Sequence, residues 1–92
     1  MTDFKEDKIK IEVVKTQCKL YQSGDKIIIN GPLIDFDKSN NVCVTALNAV
    51  YPFVFALRKR VTPEALGFAG EVTVQCPDYC GPVVFKLEPF TE

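Results

Sequence analysis

Three stretches of the chain carry apolar residues at every second position. They are residues 8–13, 71–76 and 81–88. A period of two places the apolar side chains on one face, which is typical of half-buried β-strands. A further strand is predicted for the β-branched run at residues 26–29, which follows a Ser-Gly-Asp turn signal. We expect this second strand to pair antiparallel with the first.

The longest apolar run, residues 41–60, has a different pattern and predicts a helix. Apolar side chains recur at spacings of three and four in a stripe formed by Leu47, Val50, Tyr51, Val54 and Leu57. Because Val44, Phe53, Phe55 and Ala56 are also apolar, the run predicts burial on more than one side. One sheet covers a single side, so a second copy of the chain or another protein is the expected cover for the outer side.

The ends and the middle of this helix carry specific signals. Asn40 or Asn41 is predicted to cap its first turn, and the basic residues 58–60 suit its last carbonyls. Those basic residues are interpreted as a solvated helix end or as a contact for a phosphate or an acidic partner. Pro52 removes one helical hydrogen bond, which predicts a kink or two shorter helices.

The remaining segments complete an α+β domain. Residues 33–40 are predicted to form a loop with a short extended piece at 33–36, residues 62–66 a brief helix closed by Gly67, and residues 77–81 a hairpin loop. The predicted order is β-β-α-β-β, with a mostly antiparallel sheet packed on one kinked helix. Residues 1–92 form one domain, and residues 1–7 are expected to be a disordered tail.

Charge and hydropathy limit the classes of partner. A net charge of -1, from 11 basic and 12 acidic side chains, provides no overall field to attract nucleic acid or an anionic membrane. The charged amino terminus lacks the apolar core of a secretory signal, and the run at 42–57 is shorter than the ~20 residues of a membrane span. These features predict a cytoplasmic protein without nucleic-acid or membrane partners.

Four cysteines are the main candidates for chemistry, namely Cys18, Cys43, Cys76 and Cys80. In a reducing cytoplasm such residues are free thiols, metal ligands or redox groups rather than structural disulfides. Four converging thiolates would suit zinc or an iron–sulfur cluster, although only Cys76 and Cys80 have close, C-x₃-C spacing. The alternative is that cysteines pack as small apolar residues.

Cys43 has a further interpretation, because free amides at a helix start stabilise a thiolate and would favour a nucleophile or a redox sensor. The competing interpretation places Cys43 in the core beside Leu47. The chain has no histidine, which excludes Cys-His and Ser-His-Asp arrangements within it and argues against an autonomous hydrolase. The leading hypothesis is therefore a non-enzymatic protein that associates as a homodimer or as an accessory subunit. The alternative is a cysteine-based redox or metal-binding protein.

Several separated blocks together resemble a widespread family of small prokaryotic proteins of similar length, many from anaerobes, with no established activity. The blocks are Cys18, Gly24-Asp25, Cys43, the Tyr51-Pro52 helix, Cys76-Pro77-Asp78 and the segment Val83-Val84-Phe85-Lys86-Leu87. The resemblance implies that Cys18, Cys43 and Cys76 match the family pattern and that Cys80 is an addition. The chain departs from the pattern at residues 20–22, where many members have a histidine, and at residues 58–68, where they have a segment with glycine and tryptophan.

Overall fold

The computed structural model describes residues 8–77 and 81–90 and, within them, packs one α-helix against a five-stranded sheet. The elements in chain order are β1 (Lys8–Thr16), β2 (Lys26–Asn30), β3 (Leu33–Ile34), α1 (Val44–Arg58), a 3₁₀ turn (Glu64–Leu66), β4 (Val72–Gln75) and β5 (Val83–Phe90). The predicted α+β class is confirmed, as is the short extended piece that forms β3. The predicted tail and residues 78–80 of the predicted hairpin loop lie outside the described residues.

The sheet has the order β3-β2-β1-β5-β4, and every neighbouring pair is antiparallel. The alternation in the sequence explains the faces of the strands. The apolar residues of this alternation lie on the core side of β1, β4 and β5 and are buried, for example Ile11, Val72 and Phe85. The opposite face of the sheet carries charged pairs such as Lys10 with Glu12 and Lys86 with Glu88, 3.5 and 3.6 Å apart.

A β-bulge interrupts the alternation in β1. Val13 pairs with Phe85 and Lys15 with Val84, so Val14 is an extra residue without a partner on β5. Val14 is 42% exposed. After the bulge, Thr16 pairs with the buried residue Val83. The core face therefore passes from odd-numbered to even-numbered residues of β1.

The outer edge of β2 is covered by the segment that follows β3. Asp35 N–H donates to the carbonyl of Ile28 at 2.8 Å, and the Ile28 N–H donates to Ser39 Oγ at 2.9 Å. Asn40 continues this pairing at Lys26, since its Oδ1 accepts the Lys26 N–H at 2.9 Å and its N–H donates to the Lys26 carbonyl at 2.8 Å. The outward backbone groups of β2 thus form hydrogen bonds with the chain's own loop.

The same contacts explain why the predicted helix cap is wrong. Asn40 is engaged at β2, and Asn41 Nδ2 donates to the carbonyl of Leu20 at 2.9 Å, so neither side chain reaches the helix. Cys43 occupies the N-cap position without a side-chain cap hydrogen bond. At the other end, α1 stops at Arg58, and Arg60 adopts a left-handed backbone with φ 66°. Its N–H donates to the carbonyl of Leu57 at 2.9 Å and closes the last turn.

Pro52 lies inside a single helix of 15 residues, so the predicted division into two shorter helices is not found. Both Pro52 and Asn48 are exposed. The hydrogen bond that Pro52 cannot donate to the Asn48 carbonyl is therefore lost on the solvent side, where water can solvate that carbonyl.

The buried face of α1 differs in part from the predicted stripe. The structure buries Ala46 together with Val50, Val54 and Leu57. Tyr51, predicted to lie in the buried stripe, is 40% exposed. The buried positions recur every three or four residues and lie on one side of the helix, against β1, β4 and β5.

The segment after α1 follows the sequence prediction. Residues 64–66 form the brief helix, of 3₁₀ type, and Thr62 Oγ1 accepts the N–H of Ala65 at 3.2 Å. Gly67 closes it with φ 92°, a left-handed conformation that glycine adopts without strain. In residues 8–77 and 81–90, no helix has the length and apolar content needed to span a bilayer.

Candidate functional site

Three of the four predicted site cysteines lie at one end of the domain. The β1–β5 ladder continues past β1, where Gln17 N–H donates to the Pro82 carbonyl at 2.9 Å, and this places Cys18 beside Gly81. Cys76 follows β4, and its N–H donates to the Val83 carbonyl at 2.8 Å. Cys43 is the N-cap residue of α1, and it packs against the same core as Cys18 and Cys76. The fourth cysteine, Cys80, lies outside the described residues.

Tyr21 is the centre of this group. Its side chain is 4% exposed, and its ring meets that of Phe85 edge to face with 5.7 Å between the ring centroids. Its hydroxyl oxygen accepts the backbone N–H of Cys43 at 2.9 Å. The phenol therefore joins the β1–β2 connection to the first turn of α1.

The three cysteines also act on Tyr21 electrostatically. Burial is the main cause that raises the pKa of Tyr21 above its ordinary value of 10.0, because a phenolate would lose its hydration. The hydrogen bond from Cys43 N–H lowers this pKa, whereas negative charge on Cys43, Cys18 and Cys76 as thiolates raises it. All three cysteines also pack in or against the apolar core that contains Tyr21. We call Tyr21, Cys18, Cys43 and Cys76 the thiol–tyrosine cluster.

The cluster contains free thiols. Cys18, Cys43 and Cys76 are unpaired by disulfides, and they contact the same apolar core. Cys18 and Cys76 follow strands that are separated by β5, a lateral distance of about 9.5 Å for two strand spacings. A disulfide requires about 4.4–6.8 Å between Cα atoms. A direct Cys18–Cys76 bond would therefore require the strands to move.

Metal binding is the other chemistry that thiols at one end of the domain could support. Within residues 8–77 and 81–90, no three cysteine, aspartate or glutamate side chains are arranged to hold a metal ion. The predicted four-cysteine site includes Cys80, so it stays a prediction. The described part of the chain supplies a grouped set of three thiols and a buried phenol.

Tyr21 is the member of the cluster that the sequence analysis missed. Residues 18–25 interrupt the alternation of the first strand and end in the Ser-Gly-Asp turn, so a tyrosine there carries no periodic signal. One available clue is that aromatic side chains bury large apolar area even between strands. Tyr21 lies three residues after Cys18 in such a segment.

The outer side of α1 is the second candidate surface. Val44, Tyr51 and Phe55 are 80%, 40% and 46% exposed, and Leu47 is partly buried beside them. These four residues recur at spacings of three or four, so they share one side of the helix, which borders the buried face at Leu47. We call Val44, Leu47, Tyr51 and Phe55 the outer stripe.

The carboxyl-terminal end of the outer stripe is bordered by cations. Arg58 Nη1 donates to Tyr51 Oη at 3.1 Å, and its guanidinium carbon lies 5.2 Å from the Phe55 ring centroid. Lys59 Nζ lies 5.5 Å from the same centroid. Arg58 is only 6% exposed, so its interpretation as part of a solvated helix end is wrong. Its charged group is packed against the two aromatic rings.

Comparisons of the whole chain with protein-family models, with curated proteins and with solved structures found no match. The resemblance to a family of small prokaryotic proteins therefore stays a prediction from the sequence.

Proposed function

We propose that this protein acts by association with another protein chain, as a homodimer or as an accessory subunit, and that the outer stripe is a contact surface. The observation that supports this is the exposure of Val44, Tyr51 and Phe55 along one side of the only α-helix in the described residues. Large apolar side chains aligned on one face are a common feature of protein–protein contacts.

The composition of the outer stripe supports this proposal. Tyr51 and Phe55 pack on each other with 6.4 Å between ring centroids, and Arg58 is held against both rings. Tyrosine and arginine are enriched among residues that contribute most to binding energy at interfaces. Side chains that are already held in place lose less conformational entropy on binding than free ones.

The test is a double substitution of the aromatic residues, Y51S/F55S. We expect the wild-type chain to sediment above its monomer mass at micromolar concentration, or to bind a hydrophobic dye, and the double variant to sediment at a lower mass than the wild type or to bind less dye. Substitution F36S is the matched control, because Phe36 is 71% exposed but lies outside the outer stripe. A monomeric wild type without dye binding would contradict the proposal, as would equal behaviour of the two variants.

The thiol–tyrosine cluster supports a second candidate function, cysteine-based redox or metal binding. The observation in its favour is that Cys18, Cys43 and Cys76 pack in or against the core that contains Tyr21, whose hydroxyl oxygen accepts the Cys43 N–H. Protein purified without oxygen should then carry zinc or iron and sulfide, or else have thiols that react rapidly with a disulfide reagent. The triple variant C18S/C43S/C76S should lose both properties. Metal-free wild-type protein with unreactive thiols would contradict this second candidate function.

A further inference from the structure

The two edges of the sheet differ in how they are protected. The edge at β3 is a strand of two residues, and the loop after it satisfies the outer side of β2 through Asp35, Ser39 and Asn40. The edge at β4 has neither feature. Its residues 72–75 include no charge, no proline and no bulge, which are the usual devices that prevent an edge strand from pairing.

The register of β4 shows which backbone groups point outward. Cys76 N–H donates to the Val83 carbonyl, and this pair continues the ladder in which Gln75 faces Val84. Because hydrogen-bonded and non-hydrogen-bonded pairs alternate in an antiparallel ladder, Val72 and Val74 also exchange hydrogen bonds with β5. The N–H and carbonyl groups of Thr73 and Gln75 therefore point away from β5. No backbone hydrogen bond from elsewhere in residues 8–77 and 81–90 reaches them.

We propose that β4 pairs antiparallel with β4 of a second copy of this chain, so that two five-stranded sheets become one continuous sheet. A two-fold axis at Val74 places Thr73 opposite Gln75 of the other copy, and Gln75 opposite Thr73. Each of these two symmetric pairs exchanges two hydrogen bonds, so all the outward groups of Thr73 and Gln75 are satisfied. The strand is thus complementary to itself.

Side chains and charges also fit this pairing. Val74 meets its own copy on the core side, and Thr73 and Gln75 meet on the other side, so no like charges face each other. Val72 then faces Cys76 of the other copy without exchanging hydrogen bonds. The next hydrogen-bonding pair would join residues 71 and 77, and Pro77 has no N–H to donate. The pairs that exchange two hydrogen bonds are therefore limited to the two Thr73–Gln75 pairs. Because the same strand of both copies is used, the pairing closes as a dimer rather than continuing as an open series of strands.

The dimer has consequences for the surfaces described above. The two-fold axis runs perpendicular to the sheet, so both α1 helices lie on the same side of the joined sheet. Two outer stripes are then presented in the same direction. The strand pairing does not depend on the proposed function of the outer stripe, and Y51S/F55S should leave it intact.

Charged residues introduced at positions 73 and 75 test the register of the β4–β4 pairing. T73E/Q75E places like charges opposite each other at both symmetric pairs and should weaken dimerisation by about tenfold or more. T73E/Q75K places opposite charges there and should dimerise at least as tightly as the wild type. Both variants share the carboxylate at position 73, which faces Lys86 of the same chain in either case. The dissociation constants are measured by sedimentation equilibrium, and 1 M salt should restore part of the T73E/Q75E dimer.

Hydrogen exchange of the unmodified protein provides a second measurement. The amides of Thr73 and Gln75 should gain protection as the concentration rises through the dimer dissociation constant. The amides of Val72 and Val74 serve as an internal control, because they already donate to β5 in the monomer. The proposal would be overturned by a wild type that remains monomeric at about 100 μM or by equal dissociation constants for the two charge variants. Exchange at Thr73 and Gln75 that does not depend on concentration would also overturn it.

Discussion

Replacing Val54 with aspartate is expected to unfold the protein at neutral pH. Val54 is fully buried on the core side of α1, between the helix and the sheet. An isolated carboxylate in that position loses its hydration, at a cost of several kcal/mol, and also removes the apolar contacts of the valine. A domain of this size has about 5–15 kcal/mol of stability in total. Circular dichroism and urea titration should show an unfolded or severely destabilised chain.

The neighbouring substitution F55D is the matched control, since it introduces the same carboxylate one residue further along α1. Phe55 is 46% exposed, and Arg58 and Lys59 lie beside its ring. The new carboxylate would meet water and these cations, so we expect a change in unfolding free energy of no more than about 1 kcal/mol. Equal destabilisation by V54D and F55D would contradict the orientation of α1.

Tyr21→Ala is expected to cost about 3–5 kcal/mol of unfolding free energy, the range for deletion of a buried aromatic ring. The ring packs edge to face on Phe85, and the hydroxyl oxygen accepts the Cys43 N–H, so alanine would lose both contacts. Tyr21→Phe keeps the ring and loses only the hydrogen bond, at about 1 kcal/mol. Urea titration of both variants separates packing from hydrogen bonding. A similar loss in both would show that the ring contributes little.

The burial of Tyr21 predicts that the stability of the wild type falls at alkaline pH. Burial raises the pKa of Tyr21 in the folded chain, so the folded state keeps a proton that the unfolded state releases above pH 10.0. This contribution to stability is complete below the unfolded pKa and is lost as the pH rises through the folded pKa. The stability difference between wild type and Y21F should therefore be constant below about pH 10 and should shrink above it. A constant difference up to pH 12 would contradict the burial of the phenol.

The strands were predictable because their burial depends on a local property, the alternation of side chains. The core-facing side chains of β5, such as Val83 and Leu87, follow directly from that alternation. The helix was also predictable as an element, since α1 lies within the apolar run. Its orientation was only partly predictable, because Val44 and Tyr51 are as apolar as the residues that the sheet buries. Hydrophobicity alone cannot select one side of a helix that is apolar nearly all round.

The features that escaped prediction depend on contacts between distant parts of the chain. Asn40 was a good capping residue by its local sequence, but it pairs with Lys26, 14 residues earlier. Tyr21 acquires its role from Cys43, 22 residues later. Such long-range pairs decide which of several local possibilities is realised, and a single sequence does not specify them.

The bulge at Val14 determines how β1 can change in length. A deletion within a regular strand turns every later side chain to the opposite face, which in β1 would expose buried residues. Val14 is the exception, because it has no partner on β5. Its removal would leave Val13 opposite Phe85 and Thr16 opposite Val83, with Lys15 still facing solvent between them. The central strand of the sheet therefore contains one position at which a residue can be lost while Cys18 keeps its place beside Tyr21.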